Sequence, residues 1–471
     1  MKKWSIFLCV LLKTEYLVFS AAGLQLPAIL SSHMVLQQNE TVRIWGWADQ
    51  GVTVGVKAGW DNHFSYSVAS ENNTWEVKIK TPSAGGPHNL VISADTLIVL
   101  TDIMIGEVWI CSGQSNMEMP LKGYASQPVL GSNDYILESG KHEIRLFQVG
   151  EAASARPESD CAGTWDVSQP SSVADFSAVA YLFGRYLFNA LEVPIGLIDV
   201  SWDGTPVHSW TEKEVIQKKF KNIDLTVLDK GQISKRSPTA LFNGMIHPLV
   251  KYAIKGVIWY QGEADRYRPE IYERLFSEMI ASWRMHWGSG NIPFYFVQIA
   301  PYKYDSSCNA AYLREAQLQT MLKVPKTGMV VTTDIGEYDC IHPAEKETVG
   351  KRLAYWALAD TYHIQGIKYC GPVFKRMEIK QKKVIIYFDH SENGFTSFGS
   401  KLEGFSIASY DKRFYPAEAV INRKENSIEV SSKKVELPVA VRYCWGNFIR
   451  GNLYNTAGLP ASPFRSDDWK E

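Results

Sequence analysis

Over residues 24–100, apolar and polar positions alternate in short runs: TVRIWGWA, VTVGVKAG, HFSYSVAS, TWEVKIKT and HNLVISA, split by Gly, Pro, Asn and Asp. A period of two is that of a half-buried strand, and the turn residues between the runs predict a small β-sandwich. From residue 101 to about 363 the pattern changes. Short apolar runs (EVWICS, IGLIDVSW, GVIWYQG, PFYFVQIA, GMVVTTDI) alternate with helical stretches (FSAVAYLFGRYLFNAL, IYERLFSEMIASWRMHW, LREAQLQTMLK, PAEKETVGKRLAYWALADTY), and PLVKYAI also reads as helical. This βαβα order predicts a parallel sheet covered on both faces, with sites beyond the C-terminal ends of its strands. From about residue 364 β runs return (VFKRMEIK, KKVIIYF, FSIASY, SIEVSS, VAVRYCW), followed by an irregular tail that packs back on the core. The expected layout is a leader at 1–22, an N-terminal β domain at 23–100, an α/β domain at 101–363 and a C-terminal β domain at 364–471. The pattern also allows the two β regions to share one sheet.

At 471 residues the chain is too long for one core, and 45% hydrophobic with 21% charged residues is ordinary globular material. A formal charge of -1 leaves no basic excess to neutralise a phosphate backbone, so nucleic acid is not an expected partner. The N-terminus, MKKWSIFLCVLLKTEYLVFSAAG, has a Lys pair, a short apolar core and a small-residue Ser20-Ala21-Ala22 site. This is the pattern of a signal peptide, and it predicts a secreted or periplasmic protein; Lys13 and Glu15 interrupt the run, which leaves an ordinary N-terminal helix as the competing reading. No stretch is long enough to span a bilayer. The seven cysteines show no CxxC and no zinc spacing, and no His/Asp/Glu cluster has metal-ligand spacing, so no metal or cofactor is expected. Buried free thiols are the expected fate of most of the cysteines.

Chemistry gathers where the apolar runs end. Ser115, in CSGQSNMEMP, follows EVWI. Gly204, in SWDGTPVHSW, follows IGLIDV. Gln261, in WYQGEAD, follows GVIW. Asp339 and His342, in EYDCIHP, follow GMVVTTDI. A serine hydroxyl is a weak nucleophile until a base takes its proton, and histidine suits that task near neutral pH. A carboxylate then holds the imidazole tautomer, and backbone and amide N–H groups receive the oxyanion. Taken singly, each piece has an ordinary structural reading: a polar turn, a turn glycine, a strand-end cap, a helix-start histidine before Pro343. Their coincidence on successive strand ends is what points to acyl transfer.

The blocks GQSNMEMP, SWDGTPVHSW, WYQGEAD and DCIHP resemble, in that order, the SGNH hydrolases and more narrowly the sialate O-acetylesterase family. The flanks PAILSSHMVLQQNETVRIWGWA and PVAVRYCWGNFIRGNLYNTAGLPASPFRSD are similar to the family's outer regions. The resemblance implies a flavodoxin-like three-layer α/β/α catalytic domain flanked by β-sandwich-like domains. It also implies metal-free ester hydrolysis and an O-acetylated sugar as substrate. Sialic acid 9-O-acetyl groups are the first expectation, and acetylated xylan or another glycan the second. By this likeness Ser115 is the nucleophile, His342 the base and Asp339 its orienting acid. Ser115, Gly204 and Gln261 line the oxyanion hole.

The chain departs from the family at Asp203, where relatives carry a first glycine, so the backbone donor belongs to Asp203 or Gly204. Gln261 stands where SGNH enzymes use asparagine. Asn116-Met117 after the serine excludes the G-x-S-x-G elbow. Asn116, Glu263, Arg266 and His208 are candidate substrate contacts, with Arg266 and Arg268 able in principle to grip a sugar carboxylate. His247 is a further candidate for lining the pocket. Asp334 competes with Asp339 for the orienting role, and Glu118 is placed to anchor the serine turn. Cys340 reads as packing. Trp202, Trp210, Trp259 and Tyr260 read as core or as sugar platforms. A non-catalytic glycan-binding protein and a lipase or thioesterase remain as rival readings.

Overall fold

The computed structural model describes residues 23–469; the expected leader lies outside the described residues. The molecule is organised around one 17-residue strand, Leu97–Gly113. Its first part pairs antiparallel with Gly85–Ser93, and Val35–Gln37 lies parallel against its middle. From Glu107 onward it sits between two parallel neighbours, Ile195–Ser201 and Gly256–Tyr260. The boundary expected at 100/101 therefore falls inside a strand. The change of pattern there marks a change of surroundings: residues 97–102 are mostly solvent-facing or half-buried, and residues 103–113 are buried throughout. The N-terminal β region and the α/β region share one hydrophobic core that runs from Leu24 to Val373.

The central sheet runs in the order Thr327–Val330, Phe294–Val297, Gly256–Tyr260, Leu97–Gly113, Ile195–Ser201, Ile144–Gln148. All these pairs are parallel, and Trp165–Val167 closes the far edge antiparallel. Without Ile144–Gln148 and Trp165–Val167, the strands run 2-1-3-4-5 in chain order, so the chain changes its direction of travel at the strand ending in Gly113. Helices Ala178–Leu191 and Lys346–Trp356 pack together on one side, and Pro269–Trp287 and Ala311–Lys323 on the other. Alternation along one strand feeds both layers. Tyr295 stacks on Trp109 and Trp356, while Phe294 and Phe296 meet Phe276 edge-on. Five strands expected from apolar runs are strands, and the four long helical stretches are helices.

PLVKYAI differs. The chain forms a π-helical turn, Phe242–Ile246, then a single 3-10 turn, His247–Leu249. Pro248 has no N–H to continue an α-helix, and the next strand already begins at Gly256. Beyond residue 373 the C-terminal β region builds its own core around Val384, Ile407, Ile428, Val441 and Phe464. It shares no sheet with the N-terminal strands. Its tail strand Phe464–Arg465 pairs with Ala440–Tyr443, and Arg465 reaches back to Glu315 through two bonds of 2.9 Å. The six described cysteines are all free. No helix among the described residues is long and apolar enough to cross a membrane.

Trp259 is fully buried between Phe276 (5.9 Å, stacked) and Trp283 (5.8 Å, edge-on) and meets Trp210 edge-on at 5.9 Å. Trp259→Ala is expected to destabilise the protein by about 3–5 kcal/mol, read as a fall in the urea midpoint at unchanged slope.

Candidate active site

Three of the motif loops leave the sheet from one line. Gly113 is in register with Ser201 on one side and Tyr260 on the other, so the following residues emerge side by side. Gly113 is required there. Its φ is +146°, and a Cβ would lie 2.1 Å from the Tyr260 carbonyl oxygen. That sharp exit leads into a one-turn helix, Ser115–Glu118. Gln114 pins the turn to the third loop: its N–H donates to the Tyr260 carbonyl (3.0 Å), and its Oε1 accepts from the N–H groups of Gly262 and Ala264 (3.3 Å each).

Ser115 Oγ lies 2.8 Å from His342 Nε2, across 227 residues of chain. For Nε2 to accept the serine proton, Nδ1 must carry hydrogen and needs an acceptor. That acceptor is Gln127 Oε1, at 2.6 Å. The expected contact between Asp339 and His342 is not made. Asp339 is 77% exposed and pairs with Lys303. Three residues of separation in a loop that turns outward send the carboxylate to solvent while the ring turns in. Asp334, the other candidate, is held bidentate by Arg352 at 2.9 and 2.6 Å. Gln127 comes from an irregular loop with no recognisable motif. It is fixed by a reciprocal backbone pair with Tyr124 (3.0 Å each way), and the Tyr124 ring meets His342 edge-on at 5.5 Å. Burial holds His342 down to about 4; the nearby Lys346 ammonium acts in the same direction, and Asp203 opposes it.

The expected donor role of Gln261 also fails on geometry. Its Nε2 donates to the Thr205 carbonyl (3.0 Å) and to Asp265 Oδ2 (2.7 Å), and its Oε1 accepts from the Tyr272 hydroxyl (3.0 Å). Both amide hydrogens are engaged, and the side chain is fully buried. Gln261 and Asp265 instead brace the second loop, since Asp265 Oδ2 also accepts from the Val207 N–H (2.8 Å). In that loop the Asp203 carboxylate pairs with Lys235. Gly204, at φ +65°, occupies the left-handed region that glycine adopts without strain. Neither its N–H nor that of Ser115 has an acceptor among the described residues.

The four candidate substrate contacts lie inward or are already partnered. Asn116 is fully buried; its Nδ2 donates to Glu263 Oε1 (2.7 Å) and the Ile341 carbonyl (3.1 Å), and its Oδ1 accepts from Lys346 Nζ (2.5 Å). Glu263 is likewise buried. His208 Nε2 meets the Arg236 carbonyl (3.0 Å) and its Nδ1 meets Arg268 Nη2 (3.1 Å), while burial lowers its pKa to about 4. Arg266 donates to the Glu263 carbonyl and the Tyr267 hydroxyl and stacks on the Tyr267 ring. His247 Nδ1 is bonded to the Glu158 carbonyl at 2.7 Å. Trp210, Trp259 and Tyr260 are core; Trp202 is half-buried beneath Lys235. Carboxylates cluster beside the serine turn. Burial with Asp203 and Glu151 raises Glu118 to about 7, and burial with Glu118 raises Asp199 to about 8. Two grooves of 680 and 670 Å³ line the seam with the C-terminal β region, away from Ser115. No metal-ligating cluster exists among the described residues.

A family model described as "Carbohydrate esterase, sialic acid-specific acetylesterase" matches residues 105–359, more than half of the chain. Sialate O-acetylesterases of Rattus norvegicus and Homo sapiens are 28% and 29% identical, over 94% of this chain and 94% and 92% of theirs. A crystal structure of a carbohydrate acetylesterase from Xanthomonas citri superposes with a TM-score of 0.86 at 33% identity, over 95% of this chain and 100% of that one.

The geometry separates Gln127 from Asp339. Asp339→Asn is expected to leave chromogenic acetate-ester turnover within about threefold, whereas Gln127→Ala, which removes the Nδ1 acceptor, lowers it by about 10- to 1000-fold. Steady-state kinetics on folded variants checks both.

Proposed function

Because the chain belongs to the sialic acid-specific carbohydrate acetylesterase family, we propose that it removes acetyl groups from sugar hydroxyls through an acetyl-enzyme on Ser115. The protein is an esterase and a hydrolase of carbohydrate esters. The observation that carries the mechanism is the 2.8 Å contact between Ser115 Oγ and His342 Nε2. Ser115 Oγ attacks the acetyl carbonyl as its proton passes to Nε2. The unengaged N–H groups of Ser115 and Gly204 receive the oxyanion. The sugar oxygen leaves with the proton from Nε2, and water then repeats the path to release acetate. Gln127 holds the tautomer through its amide oxygen. Being neutral, it offers the imidazolium less charge stabilisation than a carboxylate would; Asp203 acts on His342 from further away. This is a Ser–His pair with an amide orienter, in place of the Ser-His-Asp set that the resemblance implied. The 2-1-3-4-5 strand order supports an SGNH-type catalytic domain, and the N-terminal pattern of residues 1–22 supports export.

9-O-acetylated sialic acid is the first substrate class. A second reading, an acetylated neutral glycan, is favoured by one observation: the cations around the site loops are already engaged. Lys235 pairs with Asp203, Arg236 with the Gly204 carbonyl, Arg268 with His208 and Asp265, and Arg266 with Asp305 and Tyr267. A sugar carboxylate would have to share one of these cations with its present partner. Acetate release from 9-O-acetyl sialosides compared with acetylated xylo-oligosaccharides distinguishes the two.

Ser115→Ala is expected to lower turnover by about 10³-fold or more with the fold intact. Absence of fluorophosphonate labelling at Ser115 in the folded protein would favour a glycan-binding role instead. His342 must be neutral to accept the proton and is held down to about 4. Activity (kcat/KM) should therefore climb through about pH 4 and stay level up to neutrality, where an ordinary histidine would give a limb near 6.5.

A further inference from the structure

Beneath the Ser115–His342 pair lies a second buried network that the mechanism does not use. Lys346 is fully buried, on the first turn of the helix Lys346–Trp356. Both facts are unfavourable for an ammonium: lysine is almost never fully buried unless paired, and a helix N-terminus repels positive charge. Its Nζ donates to Asn116 Oδ1 at 2.5 Å, and Asn116 Nδ2 donates onward to Glu263 Oε1 at 2.7 Å and to the Ile341 carbonyl at 3.1 Å. Asn116 is the residue after the nucleophile, and Ile341 is the residue before the base. One amide thus ties the serine turn, the histidine loop and the third motif loop together, and Lys346 fixes which way that amide faces. A neutral partner at Oδ1 would do this equally well, so the ammonium needs a further reason.

Resting on the Ser115–His342 reading above, we infer that Lys346 is a positioning residue that locks the serine turn to the histidine loop through Asn116 and keeps the His342 imidazole neutral for proton acceptance. The groups facing Lys346 are Glu263, Glu337 and Cys340, with the Tyr260 ring 5.7 Å away. Those acting on His342 are Lys346 and Asp203. Burial pushes Lys346 and Glu263 each toward its neutral form, while their mutual attraction opposes this. Lys346 acts on His342, and Glu263 is not among the groups that do. On the acid side of neutrality, where the base titrates, Lys346 carries its charge and disfavours a second positive charge on the ring.

Lys346→Gln keeps an N–H donor for Asn116 but removes the charge, and Lys346→Met removes both. In the intact protein, the acid limb of kcat/KM on a chromogenic acetate should move up by about one pH unit in both variants. kcat should fall further in Lys346→Met than in Lys346→Gln, with KM nearly unchanged because Lys346 touches no substrate. Fluorophosphonate labelling of Ser115 against pH gives the same limb without turnover, and serves for a variant too slow to assay. An unmoved limb in a folded, Ser115-reactive variant, even with reduced kcat, would leave Lys346 a purely structural residue and overturn the inference. If the unsubstituted protein itself releases no acetate and takes no label at Ser115, the esterase mechanism fails first, and the two failures are told apart.

Discussion

The candidate site depends on one hydrogen bond, 2.8 Å long, between the Ser115 hydroxyl and an imidazole 227 residues away. Nothing local enforces that contact. It exists because Gly113, Ser201 and Tyr260 stand in register at one edge of a parallel sheet, and because the Tyr260 carbonyl catches the Gln114 N–H as the chain turns out. A slip of one residue in either neighbouring strand would turn the following side chain to the opposite face and carry the serine turn away from its partners. The steric limit at Gly113, where a Cβ would meet the Tyr260 carbonyl, shows how tightly the exit is drawn.

The third member of the site shows how chemistry and position divide the work. An imidazole that accepts at Nε2 requires an acceptor at Nδ1, and an amide oxygen satisfies that as well as a carboxylate does. What the amide lacks is charge. Of the neighbouring carboxylates only Asp203 acts on the ring, from a distance, and the buried Lys346 acts in the opposite direction. Burial is the first cause of the shift at His342, with Lys346 next, so the imidazole stays neutral well below its ordinary range. Polar side chains of the motif blocks mostly bind one another. Gln261, Asp265, Asn116 and Glu263 hold loops in place.

Much of this was legible in the chain. Continuous apolar runs identified the parallel strands, because a strand covered on both faces has no polar side to show. The serine and histidine were legible because each sits in a short polar block just past such a run. Gln127 was not, since it lies in an irregular loop whose only distinction is where it ends in space. The misassignment of Asp339 has a plain cause: three residues of separation bound how far apart two side chains can be, not whether they face each other. The domain boundary at 100/101 failed similarly, because a shift from alternating to continuous burial looks the same whether the chain passes through a linker or along one strand.

By itself, then, the sequence determined the kinds of element, their order, and the chemical types available at the strand ends. These follow from periodicity and local turn chemistry, which act over a few residues. Only the tertiary structure decided which donor met which acceptor: Gln127 rather than Asp339 at Nδ1, and Thr205 and Asp265 rather than an oxyanion at Gln261. A hydrogen bond forms or fails over a few tenths of an ångström and a few tens of degrees. Register between distant strands and the packing of loops set distances on that scale, and spacing along the chain does not.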